Sequence, residues 1–316
     1  MEQSYGFDLV PIAPQDFPAW VDSNSPAFWD GDEIYVFTSE HFDDPGVYRS
    51  SGTSLLDLSN PVPVQMPVLD RPGGLWLESV WLDPSDGTLY GWYHFEPLDL
   101  ECSTMPIIGA AVSYDDGLTW DDRGFVISNP YPIDCDYDNG SMAGGAGDFS
   151  VILDADSKYF YFMFSNYGGP IEQQGIAIAR SPFEDRGQPG SLENYYEGAW
   201  DQPSLDGDAT PLFTTSTGWK GPFIDAYWGP SVQWNTYLNA YVAVLNRTEG
   251  EQYAEEGVYL SFSHDLLHWS EPEKVFDGGQ WYGETLGLGP GESDSLAGKV
   301  MLFYNHGTAF GVLTFN

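Results

Sequence analysis

Ser150-Val151-Ile152-Leu153, then Asp154-Ala155-Asp156-Ser157, then Tyr159-Phe160-Tyr161-Phe162-Met163-Phe164 is the stretch that decides the fold. A short apolar run, a polar turn and an aromatic-rich run read as two strands joined tightly. The unit recurs. Ser25-Pro26-Ala27-Phe28-Trp29 turns through Asp30-Gly31-Asp32 into Ile34-Tyr35-Val36-Phe37. Ser79-Val80-Trp81-Leu82 turns through Asp83 to Gly87 into Leu89-Tyr90-Gly91-Trp92-Tyr93. Ser231-Val232-Gln233-Trp234 turns through Asn235-Thr236 into Tyr241-Val242-Ala243-Val244-Leu245. A weaker copy joins Glu284-Thr285-Leu286-Gly287 to Lys299-Val300-Met301-Leu302-Phe303-Tyr304.

Copies every ~55 to 80 residues are too irregular for a solenoid and suit propeller blades with long loops. Ile107 to Ser113, Gly175 to Ser181 and Gly257 to Phe262 read as third strands. The fold expected is all-β, a five-bladed β-propeller, with residues 1–316 as a single domain. Two stacked sandwiches are the alternative. The Tyr5 to Val10 stretch is expected to add an outer strand to the last blade, which would close the ring and cover an edge.

Composition narrows the function. The 316 residues carry 48 Asp and Glu against 10 Lys and Arg, a formal net charge of −38. Nucleic-acid binding and electrostatic membrane anchoring both need a basic footprint, and neither is expected here. No apolar run reaches the ~20 residues of a membrane span. Salt adaptation, an acidic cleft and solubility outside the cell are competing readings of the charge. Cys102 and Cys135 lie in turn-rich segments and read equally as one disulfide or as two free thiols. Met1-Glu2-Gln3-Ser4 carries no leader-like start. A secreted or periplasmic location is expected; oligomeric state is left open.

Ser113-Tyr114-Asp115-Asp116-Gly117-Leu118-Thr119-Trp120 fits the Asp-box pattern, with Asp115 capping backbone N–H groups and Trp120 packing beneath. Ser263-His264-Asp265-Leu266-Leu267-His268-Trp269 is a degenerate copy. The pattern speaks for fold and hardly for activity.

With these hairpins, the chain resembles the five-bladed β-propeller glycoside hydrolases, the superfamily of arabinanases, β-xylosidases and fructan hydrolases. The likeness covers most of the chain and matches no complete signature. It implies that the first strand of each blade lines a central funnel and that acids there do the chemistry. Carried onto the repeats, it singles out Asp22, Glu78 and Asp148 as catalytic. It singles out Asn24, Asp225 and Glu284 as substrate-binding; His94 and Glu96, a histidine beside an acid among aromatics, and Trp228, a ring for stacking, are substrate-binding candidates on their own residues. Asn24 stands closest to the position where the family has its blade-one aspartate, and an amide cannot act as a base. Glu78 lies among Trp76, Leu77, Val80 and Trp81, where burial would raise a carboxyl pKa as a general acid requires. Asp148 follows small residues that let a substrate approach. Trp76, Tyr227, Trp228 and Trp281 are candidates for stacking on sugar faces. For each acid, a turn cap or a buried structural carboxylate is the plainer reading.

The expected activity is glycoside hydrolysis of a neutral poly- or oligosaccharide by paired carboxylates. A glycan-binding propeller without catalysis and a sialidase-like enzyme are alternatives; a lyase is disfavoured by the shortage of cations. No cofactor is expected. Asp134-Cys135-Asp136-Tyr137-Asp138-Asn139-Gly140 opens like a calcium loop, but its twelfth position is Gly145 rather than Glu. An Asx-rich turn is the better reading and a structural calcium the lesser one.

Overall fold

The structure, a computed structural model, describes residues 3–40 and 46–316. Met1 and Glu2, half of the stretch read for a leader, lie outside the described residues. The described chain forms five antiparallel sheets arranged as a five-bladed β-propeller. All five hairpins expected from the sequence form the two inner strands of successive blades.

Blade 1 is built from Ala27–Asp30, Glu33–Ser39, Val47–Gly52 and Val62–Pro63. Blade 2 is Gly73–Leu82, Leu89–Pro97, Ile107–Ser113 and Asp121–Ile127. Blade 3 runs from Ala146–Leu153 through Tyr159–Asn166 and Gly175–Pro182 to a further hairpin, Glu193–Tyr196 with Ala199–Pro203. Blade 4 is Phe223–Asn235, Ala240–Glu251, Glu255–Ser263 and Glu273–Asp277, and Leu296–Ala297 adds to its inner strand in parallel. Blade 5 is Gly283–Gly287, Val300–Asn305 and Thr308–Phe315. Its fourth strand comes from the other end of the chain: Phe7–Asp16 pairs antiparallel with Thr308–Phe315, Phe7 opposite Phe315.

The aromatic strands pay for this architecture between the blades. Trp92, Phe160 and Phe162 pack together between blades 2 and 3. Phe28, Phe37 and Tyr93 fill the seam of blades 1 and 2, and Val242, Phe262, Phe303 and Phe315 that of blades 4 and 5. Each such side chain contributes roughly 1.5–3 kcal/mol by leaving water. Inner-strand N–H groups are capped by side chains of the preceding blade. Ser79 Oγ accepts from Val151, Ser150 Oγ from Val232 and Glu284 Oε2 from Ser25, at 2.9, 3.1 and 3.0 Å.

The Ser113–Trp120 loop closes on itself as its sequence suggests. Asp115 accepts from the Thr119 N–H at 2.9 Å, Ser113 Oγ from Gly117 at 2.9 Å, and the Trp120 indole donates to the Gly117 carbonyl at 3.0 Å. The copy at 263–269 repeats these bonds, with Leu266 at φ 65° in place of glycine. Cys102 and Cys135 form a disulfide. The 134–140 segment is the Asx turn: Asp134 accepts the Asp136 N–H at 3.0 Å, and its other oxygen pairs with Lys220 at 2.6 Å.

Candidate functional site

Three inner strands carry a bulge at corresponding places. In blade 2, Leu77 faces Tyr93 and Ser79 faces Trp92, so Glu78 is the extra residue. In blade 3, Gly147 faces Ser165 and Phe149 faces Phe164, so Asp148 is extra. In blade 4, the register slips between Trp228 and Ser231. A bulge removes a residue from the ladder and re-aims its side chain. Asp148 accordingly has φ 39°, a left-handed conformation unusual outside glycine. The neighbouring Gly147 is required by space: a Cβ there would lie 2.5 Å from His94 Cε1.

Both re-aimed carboxylates reach the floor of a cavity of about 450 Å³. Asp22, His94, Glu96 and Trp228 line it as well, with Trp76 and Trp281 among its aromatic walls. Six of the nine expected site residues therefore meet in one place, and three do not. Asn24 lies beneath, its amide donating to the Phe149 and Pro230 carbonyls at 2.9 and 3.0 Å. It ties blade 1 to blades 3 and 4, and its donors are used up there. Asp225 sits on the opposite face of its strand, because residues alternate along it: Ile224, Ala226 and Trp228 are buried while Asp225 and Tyr227 are half-buried. Asp225 instead pairs with Arg247 at 3.0 Å, and Tyr227 packs on Tyr259. Glu284 is buried against blade 1 through Ser25.

Glu78 is wholly buried. Its Oε2 accepts the Phe149 N–H at 2.7 Å, while Oε1 has no hydrogen bond among the described residues and lies 3.3 Å from His94 Nδ1. Burial pushes its pKa up to about 7, against the lowering influence of His94. Asp148 accepts hydroxyl donors from Tyr167 and from Tyr282, the latter at 3.2 Å. Burial raises its pKa too, and His94 and the two tyrosines oppose the rise. Tyr167 and Tyr282 stay protonated, since burial, reinforced by the Asp148 charge, lifts both well above the ordinary phenol value.

His94 stands between these acids. Its Nδ1 faces Glu78, and its Nε2 lies 3.3 Å from Glu96 Oε1. Burial disfavours a charged ring, but Glu78, Glu96 and Asp148 outweigh it and hold the imidazole well above its ordinary pKa. The Asp148 amide N–H, 3.0 Å from Nδ1, works the other way and favours the proton on Glu78. The result is a line of groups, Glu78–His94–Glu96, along which a proton can rest at more than one atom. Glu96 is its least buried member.

Glu78, His94 and Asp148 also offer one ligand atom each within 4.8 Å of one another, a donor set suited to a divalent cation. Those atoms are already committed: Nδ1 to the Asp148 amide, Glu78 Oε2 to Phe149, and the Asp148 oxygens to two tyrosines. Glu78 Oε1 and His94 Nε2 are left without a hydrogen bond among the described residues.

Sequence reading missed Trp20, Tyr167, Tyr253, Tyr282 and His306. Tyr282 was in view, two residues before Glu284, and its φ of 62° turns the chain at the cavity wall. Trp20 stands two residues before Asp22, outside every hairpin, where no periodic signal marks it.

No protein-family model matches the chain, and no curated protein matches it. Solved structures do. An endo-arabinase from Bacteroides thetaiotaomicron is 11% identical with a TM-score of 0.56, over 99% of this chain and 98% of that one. A family GH43 β-1,3-galactosidase is 12% identical with a TM-score of 0.53, over 94% and 92%. An N-acetylgalactosamine deacetylase from F. plautii, in complex with blood group B trisaccharide, is 12% identical with a TM-score of 0.57, over 98% and 95%. At such identities the likeness is one of fold.

Proposed function

We propose that the chain is a glycoside hydrolase acting on a neutral poly- or oligosaccharide, with residues 1–316 working as one domain. The observation that carries this reading is the pair of bulge-presented carboxylates, Glu78 and Asp148, on the floor of an aromatic-walled cavity. Their surroundings differ in the way that acid and base roles require. Glu78, with a pKa of about 7, keeps its proton near neutrality and gives it to the leaving oxygen. Asp148, held by two tyrosine hydroxyls, serves as the ionised carboxylate facing the anomeric carbon. Asp22 supplies a third carboxylate from blade 1. The fold resemblance to an endo-arabinase and a β-1,3-galactosidase supports the substrate class, and a neutral glycan suits walls that carry no Lys or Arg among the described residues. A secreted or periplasmic setting suits the disulfide.

Release of reducing sugar from arabinan, galactan and xylan tests the reading. Glu78→Gln and Asp148→Asn should each lower kcat by about 10²-fold or more. Full turnover in both variants would remove the assignment. Binding without turnover in the unaltered protein would make it a glycan-binding propeller. Loss of activity in EDTA with recovery on adding a divalent cation would favour metal-assisted hydrolysis through Glu78, His94 and Asp148.

A further inference from the structure

A second cavity, about 410 Å³, adjoins the first. Trp20 and His306 line both. Trp20 is 61% exposed, an uncommon setting for the largest apolar side chain. It rides on a short crossing from the outer strand of blade 5 to the centre of blade 1. That crossing is pinned at each end. Phe17 stacks on Tyr304 at 4.3 Å and donates its N–H to the Gly307 carbonyl at 2.8 Å, while the Asp22 N–H donates to Ser39 at 2.7 Å. The indole meets the His306 ring edge to face at 5.3 Å. Trp20 is thus an aromatic surface held in place from below and open to solvent, on the ridge between two hollows. His306 Nδ1 beside it has no hydrogen bond among the described residues.

We infer that the second cavity is a subsite for the sugar units next to the one over Glu78 and Asp148, with Trp20 as the stacking platform between them. This rests on the glycoside hydrolase reading for the place of bond cleavage. An amphipathic ring face suits a sugar, which presents C–H groups on one side and hydroxyls at its rim. The rim partners here are the exposed Gln280 side chain and Asp16, whose carboxylate already accepts from Thr308. Among the described residues no Lys or Arg lines either cavity, so the occupant is an uncharged oligosaccharide. The substrate is therefore longer than a single glycoside.

Calorimetry in the Glu78→Gln background tests this with arabinan, β-1,3-galactan and xylan oligosaccharides of increasing length. Affinity should rise with the second and third unit. Trp20→Ala should lower affinity for the longer ligands about tenfold and flatten the dependence on length. Ala19→Trp, at a half-buried position that lines the second cavity, should fill it and flatten the dependence likewise. Affinity independent of length, or length dependence retained in both variants, would overturn the inference. Length-dependent binding by a chain that cleaves nothing would keep the subsite and remove the hydrolase. Cleavage of single-unit glycosides with no gain from length would do the reverse.

Discussion

The backbone N–H of Asp148 points at Nδ1 of His94, 3.0 Å away. The amide can point there because Asp148 takes a left-handed φ and Gly147 leaves room for the ring. One backbone distortion thus sets the direction of a carboxylate and the proton preference of a histidine.

Replacing His94 should move the pH profile. Activity that needs a protonated Glu78 falls as pH rises through its pKa, near 7. His94 lowers that pKa, so in His94→Asn the carboxyl should hold its proton to higher pH. The basic limb of kcat/KM should shift upward while the maximum drops. An unmoved limb would separate His94 from Glu78.

Tyr282→Phe acts on the other limb. Its hydroxyl lowers the Asp148 pKa, so its loss should raise the pH at which Asp148 ionises. The acid limb of the profile should move upward, and the lost bond to a buried carboxylate should cost about 1–3 kcal/mol of stability. Matching acid limbs for Tyr282→Phe and the unaltered chain would contradict the role given to Asp148.

The stereochemistry of cleavage reports which acids work together. One oxygen of Glu78 and one of Asp148 lie within 4.8 Å of each other, nearer to the ~5–5.5 Å spacing of a retaining pair than to the ~6.5–9.5 Å that an interposed water requires. Proton NMR of the fresh product should show the anomeric configuration retained. Inversion would transfer the base role to Asp22 on blade 1.

Stability should fall with rising pH. Glu284 is fully buried and Asp294 half-buried, and desolvation raises their pKa values to about 8 and about 7. A carboxyl with a raised folded pKa binds more protons folded than unfolded. Its contribution is complete below the unfolded value, about 4.5, and is lost as pH climbs to the folded one. Tm should drop between pH 5 and pH 9. Glu284→Gln, which keeps an oxygen for the Ser25 N–H, should flatten the slope.

Salt should raise Tm. Seven of the ten Lys and Arg side chains pair with a described carboxylate, so most acids face one another or water. Screening removes that repulsion at high ionic strength. A Tm that falls between low and molar salt would exclude adaptation to salt.

The hairpins and the five blades were legible because strand, turn and aromatic strand form a local pattern. So was the start of the outer strand, read over Tyr5 to Val10 and running from Phe7 on to Asp16. The acids at bulges, Glu78 and Asp148, were visible as carboxylates stranded in apolar runs. What was not legible depended on the far side of the ring. Asn24 resembles a site residue until the Phe149 and Pro230 carbonyls arrive from two other blades. Glu284 carries the same stranded-acid signature as Glu78, but blade 1 covers it. Trp20 belongs to no strand, so periodicity could not place it.

The pairing of Phe7–Asp16 with Thr308–Phe315 has a consequence in time. During synthesis the early strand must wait, unpaired, until nearly three hundred further residues have emerged. The crossing that carries Trp20 and Asp22 waits with it. Blades 2, 3 and 4 can assemble Glu78, His94 and Asp148 beforehand, but the wall that faces them is set only when the two ends of the ring meet. A chain cut short before residue 308 would keep its buried acids and lose the partner that holds this wall.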